Sequence, residues 1–223
     1  MNKNNEKIPT ITIIVIIAAV VGLGYFLFKI SPQSVTNSVR NNTNVAENND
    51  MANHHSGGIT TINSELLNSL VGKPLPEIEL IDKGGKVYKA VDFKGKNTVI
   101  FFNEGLMCYP GCWNQIAAFG SDERFNSNEV QAISVVVDSA TDWQRAIDKM
   151  PKLAQATTMF DPGANTSRQL GMLTTSSSMH RGSLPGHTYM LLDKEGIVRF
   201  VYDDPSMRIA NDSLFDKIQE LQN

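Results

Sequence analysis

Residues 98–102, Thr-Val-Ile-Phe-Phe, form an uncharged run in which four of five side chains are large and apolar. A strand of this kind needs cover on both faces, which places it in the middle of a sheet with helices on either side. A second such run occupies 130–137, and a shorter one 157–160. Between them lie two segments with helical spacing. One is 111–125, with Ile116, Ala117 and Phe119 as apolar positions; the other is 141–150, with Trp143, Ile147 and Met150. Strands alternating with helices predict α/β layering. Ahead of this unit the spacing predicts a helix over 62–70, a strand over 77–81, a Gly84-Gly85 turn and a return strand from Val87. After it come a short helix over 164–170 and a polar loop over 174–178. Strands over 189–192 and 197–202 follow, joined by the turn Asp193-Lys194-Glu195-Gly196. Asn211 or Asp212 is placed to cap a last helix carrying Leu214, Phe215, Ile218 and Leu221.

The apolar residues divide the chain of 223 residues into three parts. Residues 8–28 carry no charge and are flanked by Lys7 and Lys29. A helix of about 20 apolar residues spans the ~30 Å hydrocarbon core of a bilayer, whereas the apolar region of a cleaved signal is about 7–15 residues long. No small-x-small cleavage site follows. Residues 1–30 are therefore expected to be an N-terminal transmembrane signal anchor. Lys3 and Lys7 precede the span, which favours a cytoplasmic N-terminus and an extracytoplasmic soluble part. Residues 31–58 are rich in Asn, Ser and Thr and have no aromatic residue. Such a segment buries too little surface to offset its ordering entropy, so a flexible polar linker is expected. His54-His55 within it reads as a solvated pair. Residues 59–223 form the globular domain, without internal repeats. A formal net charge of -3 gives no reason to expect a nucleic-acid partner.

The chain has only two cysteines, in Met107-Cys108-Tyr109-Pro110-Gly111-Cys112-Trp113. They are about one helical turn apart, close enough for a disulfide. The segment follows a central strand and opens a helix, at the end of the sheet where α/β proteins place their sites. Unpaired N–H groups and the positive end of the helix dipole there favour the thiolate, which is both nucleophile and metal ligand. A cross-link over so short a loop adds little chain-entropy stabilisation. Redox or metal chemistry is therefore favoured over a passive disulfide or two inert thiols. Cys108 precedes the helix and is expected to be the more exposed and the attacking thiol. Glu104 reads as a proton shuttle or a solvated loop carboxylate. Trp113 reads as a cover over the disulfide or a core aromatic. His187 reads as a ligand, a residue that tunes thiol acidity, or a bystander. His180 and Arg181 have no assigned role, and Pro185-Gly186 can simply form a turn.

Gly72-Lys73-Pro74-Leu75-Pro76, Phe93-Lys94-Gly95-Lys96 and the strand at 98–102 resemble the opening of redoxin and AhpC/TSA-type, peroxiredoxin-like domains. Tyr109-Pro110-Gly111-Cys112 is similar to the Thr-Pro-Gly-Cys of some peroxiredoxins, a register that points to Cys112 rather than Cys108. The stretch from His187 to Gly196 resembles their late strand and turn. The resemblance implies a thioredoxin-like α/β fold, with a central mixed sheet flanked by helices. It also implies a thiol-disulfide oxidoreductase or peroxiredoxin-like antioxidant enzyme. Cys108 and Cys112 would be its catalytic pair, with a protein thiol, a disulfide or a peroxide as partner and no cofactor. It makes Pro185 the candidate cis-proline beside the cysteines. In the pattern Pro-x-x-x-Thr-x-x-Cys, the Thr position holds Gly105 or Tyr109, so the threonine hydroxyl is missing in both registers. C-x-x-x-C with a distant histidine also resembles Sco-type copper chaperones, in which Cys108, Cys112 and His187 would hold copper.

Overall fold

A computed structural model describes residues 62–221 of the chain. The expected membrane anchor, the linker and His54-His55 lie outside the described residues. Among the described residues, no helix is long and apolar enough to cross a membrane.

The sheet has seven strands: β1 (Glu79–Ile81), β2 (Val87–Lys89), β3 (Asn97–Phe102), β4 (Val130–Val136), β5 (Thr157–Phe160), β6 (Thr188–Leu192) and β7 (Val198–Asp203). Their order is β2-β1-β5-β4-β3-β6-β7. β3, β4 and β5 are parallel, with Phe101 opposite Ser134 and Val135 opposite Met159. β6 joins β3 antiparallel, Phe101 facing Tyr189, and β7 returns along β6. The mixed sheet is that of a thioredoxin-like fold. The helices are α1 (Ile62–Leu70), α2 (Gly111–Ser121), α3 (Ala140–Lys149), α4 (Asn165–Gln169) and α5 (Asn211–Glu220).

The two-residue period of the central strands divides the core. Val99, Phe101, Tyr189 and Leu191 point to one face, where they meet Cys112, Trp113, Ile116 and Phe119 of α2, Trp143 of α3 and Ile218 of α5. Ile100, Phe102, Met190 and Leu192 point to the other, against Leu67 and Leu70 of α1. All six residues of β3 are buried, as its uncharged sequence requires.

Two helix ends differ from expectation. α2 stops at Ser121, because Asp122 leaves the helical conformation and its side chain accepts the Arg124 N–H at 3.1 Å. That starts a separate turn over Glu123–Phe125. α5 has Ala210 at its cap, with no side-chain capping bond. Asn211 lies one residue inside and turns its amide inward: Nδ2 donates to Ala118 O at 3.2 Å and to Asp122 Oδ2 at 2.9 Å. A residue type suited to capping docks α5 on α2 instead.

Candidate active site

β3 is followed directly by Asn103 and Glu104, both buried. Asn103 Nδ2 donates to Val135 O at 3.1 Å, and its Oδ1 accepts the Gly105 N–H at 2.9 Å. Gly105 then turns the chain with φ +57°. Asp138, just past the end of β4, accepts the Leu106 N–H at 3.0 Å. Burial pushes the Asp138 carboxyl above its ordinary range. The turn over Gly105–Met107 delivers Cys108, the cis Tyr109–Pro110 peptide follows, and α2 begins at Gly111.

Cys108 and Cys112 are joined in a disulfide. Both are buried, at 2% and 0% exposure. Cys108 is therefore not the exposed thiol its place before the helix suggested: it joins the core cluster with Cys112 and Trp113, while its neighbours Met107 and Tyr109 are exposed. The two sulfurs have different surroundings. Cys108 Sγ accepts the Cys112 backbone N–H at 3.3 Å, one of the free donors of the helix start. Cys112 Sγ faces His187 Nδ1 at 3.4 Å. On its other side the His187 ring meets Tyr189 Oη at 2.7 Å, and Tyr189 donates to Gln115 Oε1 at 3.1 Å. His187 packs edge-on against Phe101, with ring centroids 4.5 Å apart. Desolvation lowers its pKa to about 4, against the opposing pull of Asp204 and Asp203. The imidazole is neutral at pH 7.

Trp113 is wedged beneath the turn. Its Nε1 donates to Gly105 O at 3.0 Å, and its ring meets Tyr109 and Trp143 edge-on. Glu104 is 1% exposed, not a solvated loop carboxylate. Its Oε1 accepts the N–H groups of Met179 at 2.7 Å and His180 at 3.0 Å, and its Oε2 lies 2.9 Å from His180 Nδ1. Asp203 holds the same loop from β7 through the backbone and hydroxyls of Ser176 and Ser177. Among the described residues the cis peptide is at Tyr109–Pro110, not at Pro185. Pro185 is buried in the loop leading to His187. Its neighbour Gly186 fits because a Cβ there would come within 2.2 Å of Thr175 Oγ1 and 2.3 Å of Ser177 Oγ.

The sequence reading missed Asp138, Tyr189 and Gln115. Signals for two of them existed. Asp138 follows β4 at the same sheet end as the cysteines, and Tyr189 sits two residues after His187, one place into β6, where an extended backbone puts i and i+2 on one face. A groove of about 580 Å³, lined by Leu106, Tyr109, Trp113, Arg145, Lys149 and Met150, runs beside the turn. The two sulfurs and a His187 nitrogen lie within 4.8 Å of one another. With the sulfurs bonded to each other, neither is a thiolate able to bind a metal.

The model of the AhpC/TSA family matches residues 71–201. The chain belongs to the AhpC/TSA family. Within it, the chain is 31% identical over 134 residues to "Peroxiredoxin Q, chloroplastic" of Triticum aestivum, covering 60% of this chain and 58% of that protein. It is 29% identical over 160 residues to "Peroxiredoxin 2" of Sulfurisphaera tokodaii, covering 69% and 73%. The chain thus spans less than two thirds of the wheat relative. Among solved structures it is similar to Enterococcus faecalis AhpC, with TM-score 0.57, 16% identity, and 69% and 92% of the two chains covered. It is likewise similar to Mycobacterium tuberculosis AhpC, with TM-score 0.56, 17% identity, and 69% and 93% covered. At such identity these two share the fold. The copper-chaperone alternative finds no support among these family members.

Proposed function

We propose that this chain is a peroxiredoxin-like thiol-disulfide oxidoreductase whose working pair is Cys108 and Cys112. The observation that carries the reading is that its only two cysteines form a disulfide at the start of α2. In the dithiol form, Cys108 is the nucleophile, because the Cys112 N–H supports its thiolate. It attacks the terminal oxygen of a hydroperoxide, releasing the alcohol or water and leaving Cys108 as a sulfenic acid. Cys112 attacks that sulfur, the S–O bond breaks, water leaves and the disulfide forms. A partner dithiol returns the pair to the reduced state by exchange and becomes a disulfide itself. The groove beside the turn, with its aromatic floor and the cations Arg145 and Lys149, and the exposed Met107 and Tyr109 supply a surface for that partner. No metal or organic cofactor is needed. The uncharged stretch at residues 8–28 supports a tether to the membrane, with the domain on the extracytoplasmic side.

The test uses the full chain in detergent, reduced and then mixed with hydrogen peroxide or an alkyl hydroperoxide. Disulfide formation well above the rate of free cysteine, abolished in Cys108→Ser, is expected. Oxidation no faster than free cysteine would remove the peroxidase reading. Cu(I) binding that withstands a competing chelator and weakens in His187→Ala would replace it with a copper carrier.

A further inference from the structure

A buried hydrogen-bond chain runs from α5 to the disulfide, and its direction can be fixed. Asn211 Nδ2 faces two groups that only accept, Ala118 O and the Asp122 carboxylate, so its Oδ1 is left to receive Gln115 Nε2 at 2.8 Å. The Ala210 backbone N–H, which only donates, reaches Gln115 Oε1 at 2.7 Å. The amide of Gln115 is thereby oriented from both ends. Its oxygen also lies 3.1 Å from Tyr189 Oη, so Tyr189 must spend its single proton on Gln115. Tyr189 Oη then accepts from His187 Nε2 at 2.7 Å, which therefore carries the ring proton. The lone pair of the neutral ring is left on Nδ1, 3.4 Å from Cys112 Sγ.

We propose that His187 is the proton acceptor for the Cys112 thiol, with Gln115 and Tyr189 as positioning residues that hold its ring in the Nε2–H tautomer. The proposal rests on the oxidoreductase reading above. In the oxidising direction the Cys112 S–H bond breaks, its proton passes to His187 Nδ1, and the sulfur attacks the Cys108 sulfenic acid. The S–S bond forms, the S–O bond breaks, and the proton leaves His187 with the departing hydroxide as water. In the reducing direction a partner thiolate bonds to Cys108 Sγ as the S–S bond breaks, Cys112 departs with the electron pair, and the partner's second thiol then displaces Cys108 and closes the partner's own disulfide. The proton given up by the partner lodges between Cys112 Sγ and His187 Nδ1. The charged and ionisable groups around the ring are the two cysteines, Tyr189, Asp203 and Asp204. Of these, the cysteine sulfur is the one placed on Nδ1.

The experiment is nitrogen NMR of the full chain in detergent with ¹⁵N-histidine, the His187 signal assigned by its loss in His187→Gln. In the oxidised protein at neutral pH, His187 is expected as the neutral Nε2–H tautomer. On reduction, Nδ1 is expected to shift toward the range of a protonated or hydrogen-bonded nitrogen. Gln115→Met removes the acceptor of the Tyr189 proton, freeing Tyr189 to donate to Nε2, so the tautomer is expected to switch to Nδ1–H. Tyr189→Phe is the second variant and should leave a mixture of tautomers. An Nδ1–H ring in the oxidised wild type, or an Nδ1 signal indifferent to reduction, would overturn the proposal. Peroxide turnover measured in parallel separates the two readings. Turnover with the wrong tautomer defeats this inference alone, while the right tautomer without turnover defeats the oxidoreductase reading.

Discussion

Glu104 and His180, 76 positions apart in the chain, meet at 2.9 Å and join the end of β3 to the loop that leads into His187. The same buried carboxylate accepts the backbone N–H groups of Met179 and His180 and the hydroxyl of Ser178. Truncating it leaves the two backbone N–H groups without their acceptor, while the Ser178 hydroxyl keeps Leu184 O at 2.9 Å. Unsatisfied groups of this kind cost about 1–3 kcal/mol each when water cannot replace the partner. Glu104→Ala is expected to lower unfolding free energy by about 2–4 kcal/mol. Glu104→Gln keeps an oxygen for the two N–H groups and should lose less. Denaturant unfolding of both variants checks this, and an alanine variant as stable as wild type would remove the anchoring role.

Gly105 has no room for a side chain. A Cβ there would fall 1.8 Å from Asp138 Oδ2 and 3.3 Å from Val136 Cβ, at φ +57°. The left-handed backbone alone costs an L-residue roughly 1–2 kcal/mol. Displacing Asp138 would also break its bond to the Leu106 N–H, which shapes the turn before Cys108. Gly105→Ala should therefore destabilise by about 2 kcal/mol or more and slow disulfide formation. Unfolding and thiol-oxidation rates measured on one sample test both effects. A variant with wild-type values for both would show that the turn tolerates a side chain.

The central strands were legible because burial on both faces leaves one sequence signature, an uncharged apolar run, and β3 and β5 keep close to their expected limits. The hairpin β6–β7 was legible from its turn. Helix ends were less so, since Asp122 ends α2 by capping a new turn and Asn211, suited to a cap, is used instead to pack against Asp122. At the site, the cysteines and His187 stood out by residue type, yet nothing local brings Cys112 to a histidine 75 positions away. That contact depends on β6 lying beside β3, a pairing decided by the whole sheet. The cis-proline was misplaced for a similar reason. Pro185 and Pro110 both precede a glycine, and the backbone around them, not the dipeptide, decides which bond is cis.

Reduction should cost modest stability. The cysteines are only 4 positions apart, so their bond restricts a small part of the unfolded ensemble. The chain-entropy relation gives roughly 2 kcal/mol for so short a loop. Denaturant unfolding with and without a dithiol reductant is expected to differ by about that amount. A loss much above it would mean that the disulfide organises the whole domain, and that a cycling pair would unfold it at every turnover.

The last prediction concerns pH. His187 is fully buried and its folded-state pKa is about 4, below the ordinary 6.5, chiefly through desolvation. Above pH 6.5 the ring is neutral in both states and contributes no pH dependence. As pH falls from 6.5 toward 4, the unfolded chain takes up a proton that the native state refuses, so stability falls. Each tenfold difference in proton affinity between the two states is worth ~1.4 kcal/mol, so the loss by pH 4 is on the order of 3 kcal/mol. Asp138 works the other way in the lower part of this window: its pKa is raised by burial, so the native state takes up its proton first and gains stability as pH falls. Asp122, lowered to about 2 chiefly by the Arg124 side chain, contributes its own loss only between about 4 and 2. The oxidised protein should therefore lose stability steadily from pH 6.5 downward, and His187→Gln should flatten that slope while Asp138→Asn steepens it. Urea midpoints collected at half-unit pH steps provide the measurement. An unchanged slope in His187→Gln would mean that the native state admits the proton, and that the ring beside Cys112 is charged well above pH 4.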